Sequence, residues 1–245
     1  MTQSNRHTPA RARKVEIKYG RQLRQIASYI DSIIKGFDVT DMSVYPSITT
    51  ALRRYANSLD DWAYSAAGRV LTDVALRDEK TWMIYAKDMS KELRNQIRNT
   101  DTGAIYQQLL AEQVTLIKSL PFDAANRIHD LTTRALIEGG RSSEIAGLII
   151  ATGHVTKSRA NTIARTEVSR ASTLFTQVRA LAIGCDGYIW MDSGVGDVRD
   201  DHHLLNGQFI RWDSLPIVDR KRGIRAHAGC IYNCRCYPEP VIPEY

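Results

Sequence analysis

Residues 156–191 read TKSRANTIARTEVSRASTLFTQVRALAIGCDGYIWM, and the change of texture inside this stretch decides the fold. Up to Ile183 the apolar residues Ala160, Ile163, Ala164, Val168, Ala171, Leu174, Phe175, Val178 and Leu181 recur at spacings of three and four, the period of one helix face. Gly184 then stands where a left-handed C′ residue ends a helix. The next apolar run, Tyr188-Ile189-Trp190-Met191, is short and reads as a strand. Seven of the 15 Gly, four of the seven Pro and all four Cys lie in the last 62 residues, so the turn-rich region begins at Gly184. The reading is an α+β chain: a mostly α-helical N-terminal body and a small C-terminal lobe of short β-strands and loops.

Working upstream, no proline lies between Pro46 and Pro121 or between Pro121 and Pro216, and such stretches favour helix. Residues 15–35 and roughly 47–99 read as helical. The second run is too long for one ordinary helix, and Gly68 or the Arg77–Lys80 charge cluster is expected to divide it. Ile105 through Leu120 is again periodic. Pro121 is expected to stop that helix and open the next, which ends at Gly139-Gly140. Ser142 is expected to cap a short helix to Ile150, with Gly153 interrupting it before the long helix of 156–183. The domain reading is a basic flexible arm (1–14), a helical body (15–138), and a domain of residues 139–245 made of the long helix and a β lobe (184–245). Downstream, Gln208–Arg211 and Ile231–Tyr237 read as strands.

The chain carries 33 Lys and Arg against 27 Asp and Glu. Residues 1–24 hold Arg6, Arg11, Arg13, Lys14, Lys18, Arg21 and Arg24 with one acid, Glu16, and so account for the whole net charge of +6. A basic arm on a neutral body is an electrostatic handle for nucleic acid, whose phosphates it can contact without reading sequence, or for an acidic protein surface. Arg6, Arg11, Arg13 and Lys14 are the DNA-binding candidates. No run of 18 apolar residues and no secretory apolar segment is present, which points to a soluble protein with no membrane partner. Trp62, Trp82 and Met83, in long helices, are expected to remain exposed and to make protein contacts.

One metal constellation is available: His202 and His203 in DVRDDHH, with His227, Cys230, Cys234 and Cys236 in HAGCIYNCRC. Zinc takes four such ligands in a closed site, and a structural zinc would staple a loop-rich lobe. In a straight strand, however, residues two apart are separated by about 6.5 Å, too far for two thiolates on one ion. A packed core of small thiols is therefore the preferred reading and zinc the alternative. His202 and His203 in DVRDDHH also admit a metal-dependent nuclease or nucleic-acid-processing enzyme using these histidines and the C-terminal cysteines. No phosphate-binding glycine loop, nucleophile elbow or His-Glu-x-x-His motif supports catalysis, and no catalytic residue is assigned.

The order of motifs resembles the phage head morphogenesis family, the minor head proteins similar to phage Mu protein F. The resemblance runs over about residues 105–242: LIKSLP at Leu116–Pro121, SRANTIARTEVSRA at Ser158–Ala171, the Trp190 strand, Asp197-x-Arg-x-x-His202, His202-x-x-Leu-x-Gly207, and HAGCIYNCRCYPEPV at His227–Val241. His227-Ala228-Gly229 stands where relatives show His-Pro-Gly, and Cys230 is not part of the family pattern, so the resemblance implies His202, His227, Cys234 and Cys236 as the ligand set. In some relatives a toxin or nuclease domain follows the Cys-Arg-Cys element; the nine residues after Cys236 are expected to hold none. The resemblance implies a virion component and not an enzyme. It implies partners in the portal protein, the major capsid or scaffold protein and packaged double-stranded DNA, and roles in head assembly, genome packaging and DNA ejection. It places the chain at the capsid interior or portal vertex, and in the host cytoplasm during assembly.

Overall fold

The computed structural model describes residues 10–138, 142–194 and 198–243. Among the described residues, seven α-helices precede or punctuate five short strands: α1 (Ala10–Lys35), α2 (Tyr45–Ser58), α3 (Asp60–Tyr85), α4 (Lys91–Arg98), α5 (Gly103–Glu138), α6 (Ser142–Ala182), β1 (Gly187–Met191), α7 (Asp200–Leu205), β2 (Phe209–Arg211), β3 (Ile217–Asp219), β4 (Ile224–Arg225) and β5 (Tyr237–Pro240). This is the α+β organisation anticipated, helical first and stranded last. No described helix is long and apolar enough to cross a membrane.

The chain forms two compact units, and their boundaries do not follow chain order. A helical unit comprises Lys18–Gly68 and Leu110–Ala164; a mixed unit comprises Met1–Ile17, Arg69–Leu109 and Arg165–Tyr245. In the helical unit Leu23, Ile30, Ile34, Ile48, Leu52, Ile117, Ile128 and Ile149 are all fully buried. Polar cross-links lie outside that core: Lys118 with Asp60 at 2.6 Å, Arg159 with Asp123 at 2.7 Å, and Arg24 donating to Asn161 at 2.7 Å. Such exposed pairs add little, and apolar burial supplies most of the stability.

In the mixed unit a three-stranded antiparallel sheet has the order β2-β1-β5, with Tyr188 opposite Ile210 on one side and Pro240 on the other. Its core joins Trp82, Ile97, Ala180, Ile183, Tyr188, Trp190, Trp212, Val218 and Ile231 to Cys185, Cys234 and Cys236. Asp78 and Arg179 form an ion pair inside this unit at 2.9 Å, each side chain 5% exposed. Thr176 donates to the other Asp78 oxygen at 2.6 Å, and Arg179 donates to the Ile97 carbonyl at 2.7 Å.

Several expected breakpoints are absent. α3 runs through Gly68 and through Arg77–Lys80; the breaks fall at Leu59, and between Tyr85 and Lys91. The local signals are Asp60 and Asp61 in the first turn of α3, where carboxylates favour a helix N-terminus, and the Ser90 hydroxyl accepting from the Leu93 N–H. α5 passes through Pro121 without stopping, because Ile117, Leu120, Ala124, Ala125 and Ile128 bury on both sides of it. α6 is one helix from Ser142 and passes through Gly153. A Cβ at Gly153 would stand 2.5 Å from an Asp31 carboxylate oxygen, so this glycine serves close packing of α1 against α6 and is no breaker. The Gly139-Gly140 stop lies outside the described residues. Gly184 does end α6: its φ is 74°, and Cys185 N–H donates to the Ala180 carbonyl at 2.9 Å, the bond pattern of a Schellman cap.

Trp82 is fully buried, contrary to the expectation of an exposed docking residue; Trp62 and Met83 are half-buried. Trp82 belongs to the mixed-unit core.

Candidate functional site: the Cys-Arg-Cys turn

The family-like motifs converge on one turn. Residues 231–236 do not form the expected strand; β5 starts only at Tyr237. Asn233 takes a positive φ of 57°, and Cys234 N–H closes back on the Ile231 carbonyl at 3.2 Å. Asparagine tolerates this left-handed conformation better than most residues. The turn is clasped by α6: Asn233 N–H donates to the Thr166 hydroxyl at 3.0 Å, and Arg165 donates to the Asn233 side-chain oxygen at 3.3 Å. Arg235, between the two cysteines, points to Glu16, donating at 3.0 and 3.4 Å. Arg165 and Arg13 approach the same carboxylate at 3.5 and 3.6 Å. Glu167 pairs with Arg170 along α6 at 3.3 Å, as the i,i+3 spacing predicts.

Gly229 is fixed beside this clasp. Its φ is 78°, and a Cβ there would lie 2.7 Å from the Ser169 hydroxyl and 2.9 Å from the Cys236 carbonyl oxygen. Only glycine satisfies both the conformation and the space. The Thr173 hydroxyl donates to the neighbouring Ala228 carbonyl at 2.7 Å.

On the inner side of the turn, Cys234 and Cys236 meet His202 of α7. The His202 Nδ1 lies 3.5 Å from Cys234 Sγ and 3.4 Å from Cys236 Sγ. All three donor atoms fall within 4.8 Å of one another and all three residues are buried. The Cys236 backbone N–H donates to Cys234 Sγ at 3.4 Å. The pKa of the Cys234 thiol is lowered by its hydrogen bond from Cys236 and by His202, whereas that of Cys236 is raised by the same bond and by burial. The Trp190 ring stands edge-on to the imidazole, with centroids 5.5 Å apart.

His227 lies elsewhere. Its Nε2 is 3.2 Å from the Trp212 carbonyl, which can only accept, so Nε2 carries the proton. Its Nδ1 therefore accepts from the Tyr188 hydroxyl at 3.2 Å, and that oxygen in turn accepts from the Ala228 N–H. Burial holds this imidazole below its ordinary pKa. Both nitrogens are committed, and His227 is a core histidine between two aromatic rings. Cys230 also lies outside the cluster, its thiol pushed up to about 12 by burial.

The paired histidines of DVRDDHH diverge. His202 is 1% exposed and faces the sulfurs; His203 is exposed and meets Asp192 at 3.0 Å. Arg199 donates to the Tyr232 carbonyl at 2.9 Å and lies over its ring, and Asp201 accepts from the Arg220 N–H at 2.9 Å. The segment is therefore tied into the lobe. Asp197 lies outside the described residues.

Of the DNA-binding candidates, Arg6 and the Arg11 side chain lie outside the described residues. Arg13 and Lys14 are exposed on the first turns of α1, which already begins at Ala10. Arg21 and Arg24 line a shallow groove of the helical unit with Tyr29 and Lys157. Glu16 belongs to no motif; its one sequence signal is that it is the single acid in a basic run.

Residues 126–238 match the model of a family described as phage Mu protein F like protein. An uncharacterized protein of Haemophilus influenzae is 30% identical over 155 residues, which is 63% of this chain and 33% of that protein. The chain thus spans about a third of the length of that curated relative. No solved structure matches. The matched segment holds the α6 motif, His202, Gly229 and both cysteines of the turn, in the order and the spatial association just described. Residues 126–238 are thus similar to the phage Mu protein F-like family.

Proposed function

We propose that the chain is a minor head protein of a tailed phage, seated at the portal vertex, where its basic arm contacts packaged DNA without sequence preference. The observation that carries the head-protein reading is the family match over residues 126–238. The site supports a structural role. Arg165, Thr166, Asn233, Arg235 and Glu16 are used on one another, holding a turn in place. The arm supports the DNA reading, since residues 1–24 carry the entire net charge.

Two measurements test it. Quantitative mass spectrometry of purified virions should find the protein in few copies, and it should co-purify with the portal protein from assembling heads; absence from virions sinks the reading. For the arm, deletion of residues 1–14 should weaken duplex binding and flatten its salt dependence, by up to about 0.9 in log–log slope for each phosphate no longer neutralised. Arg13 shares Glu16 with two other arginines, so Arg13→Ala should change the slope less than Lys14→Ala. An unchanged salt slope after deletion removes the arm from DNA binding.

A further inference from the structure

We propose that His202 Nδ1, Cys234 Sγ and Cys236 Sγ bind one zinc ion, which staples α7 to the turn preceding β5. The distance objection to a shared ion holds for a straight strand, and the chain is not straight there. The turn at Asn233 brings both sulfurs to the same imidazole nitrogen. Zinc bonds nitrogen at about 2.0 Å and sulfur at about 2.3 Å, so a tetrahedral ion sets N and S donors about 3.5 Å apart. The observed separations are 3.5 and 3.4 Å.

The charge balance favours an ion as well. Zinc replaces both thiol protons and leaves a set of two thiolates and one dication with no net charge, which suits a buried site. The Cys236 N–H aimed at Cys234 Sγ is the outer-shell bond that steadies a ligating thiolate. The far nitrogen, Nε2, is buried with no hydrogen-bond partner among the described residues, so the ring is oriented through Nδ1 and its contact with Trp190. Three protein donors leave the fourth position to water. The gain is in folding: the lobe's strands are five residues or fewer, and an ion adds the cross-link they lack.

The test uses the full-length protein, purified reduced and without affinity metals. Elemental analysis should give about one zinc per chain. His202→Ala, Cys234→Ser and Cys236→Ser should each lose most of it, and His227→Gln should retain it. Because those variants can also misfold, the wild-type chain supplies a second readout. Chelator should expose Cys234 and Cys236 to alkylation, added zinc should restore their protection, and cobalt substitution should give the thiolate charge-transfer and tetrahedral d–d bands. Metal-free protein that stays folded with both thiols equally reactive with and without zinc overturns the proposal. So does a Cys234–Cys236 disulfide in the freshly isolated chain, detected as a loss of two hydrogens.

Discussion

The helical unit and the C-terminal lobe of the mixed unit solve stability differently. The first buries a long register of Leu, Ile and Ala along α1, α2, α5 and α6, and its polar links are exposed. The second has strands of two to five residues and relies on particular atoms: an ion pair at 2.9 Å, a committed histidine, a glycine with no room above it, and three sulfur and nitrogen donors drawn together. Many small apolar contributions tolerate the loss of one member. A set of buried polar contacts does not, since each orphaned partner remains inside. Single substitutions should therefore separate the two regions.

The largest effect should come from Asp78→Ala. It leaves the Arg179 guanidinium charged, 5% exposed and without its carboxylate, which costs about 3–5 kcal/mol. Urea unfolding measures this, and Asp78→Ala combined with Arg179→Met should recover part of the loss. A single-variant cost under about 1 kcal/mol would show that water reaches the pair.

Gly229→Ala comes next. The left-handed φ and a Cβ against the Cys236 carbonyl oxygen together should cost about 3 kcal/mol. The damage should be local: near-ultraviolet signals of Trp190 and Trp212 should change while helical content is kept. Wild-type stability would contradict the packing of the lobe on α6.

These contrasts bear on what the sequence discloses. The helix faces, the Gly184 cap, β1 and β2 are legible because they depend on neighbours three, four or two residues away. Pro121, Gly153 and Gly68 mislead for the opposite reason. Their local cost is outweighed by apolar residues buried on both sides of each position, and at Gly153 the missing Cβ makes room for Asp31, 122 positions earlier. At the site, residue types alone name His202, Cys234 and Cys236. They cannot exclude His227, whose partners are 15 and 39 residues distant. Nor can they reveal Glu16 as the partner of Arg235, 219 residues away.

The pH dependence sharpens the picture with a smaller effect. Burial raises Asp78 from 3.8 to about 6, so the folded state holds a proton that the unfolded chain has released. That contribution is complete below pH 3.8 and is lost as pH rises through 6, lowering stability across the window. His227 acts with the opposite sign. Its folded pKa lies below 6.5, so its contribution is present above that value and is lost as pH falls. The two slopes oppose each other in the wild type. Asp78→Asn should leave stability rising with pH just below 6.5, where the unfolded chain releases the His227 proton, whereas His227→Gln should leave it falling between about 4 and 6. Parallel profiles for the two variants would refute the assignment.

Gly153→Ala is the smallest change expected and the closest control. Like Gly229, Gly153 has no space for a Cβ: Asp31 Oδ1 would be 2.5 Å away and Asp31 Cβ 3.2 Å. Here, however, the backbone is helical, and alanine gains about 1 kcal/mol over glycine in a helix interior. The obstacle is a half-buried carboxylate that can swing aside. Doing so sacrifices a 2.6 Å pair with Lys35, an exposed i,i+4 bridge worth about 0.5 kcal/mol. A shift of a few tenths of an ångström between α1 and α6 accommodates the rest. The net cost should stay within about 1 kcal/mol, and it should shrink further in a Lys35→Ala background, where no bridge remains to break. If Gly153→Ala instead costs as much as Gly229→Ala, the helical unit is as dependent on exact atoms as the lobe, and the distinction between the two regions fails.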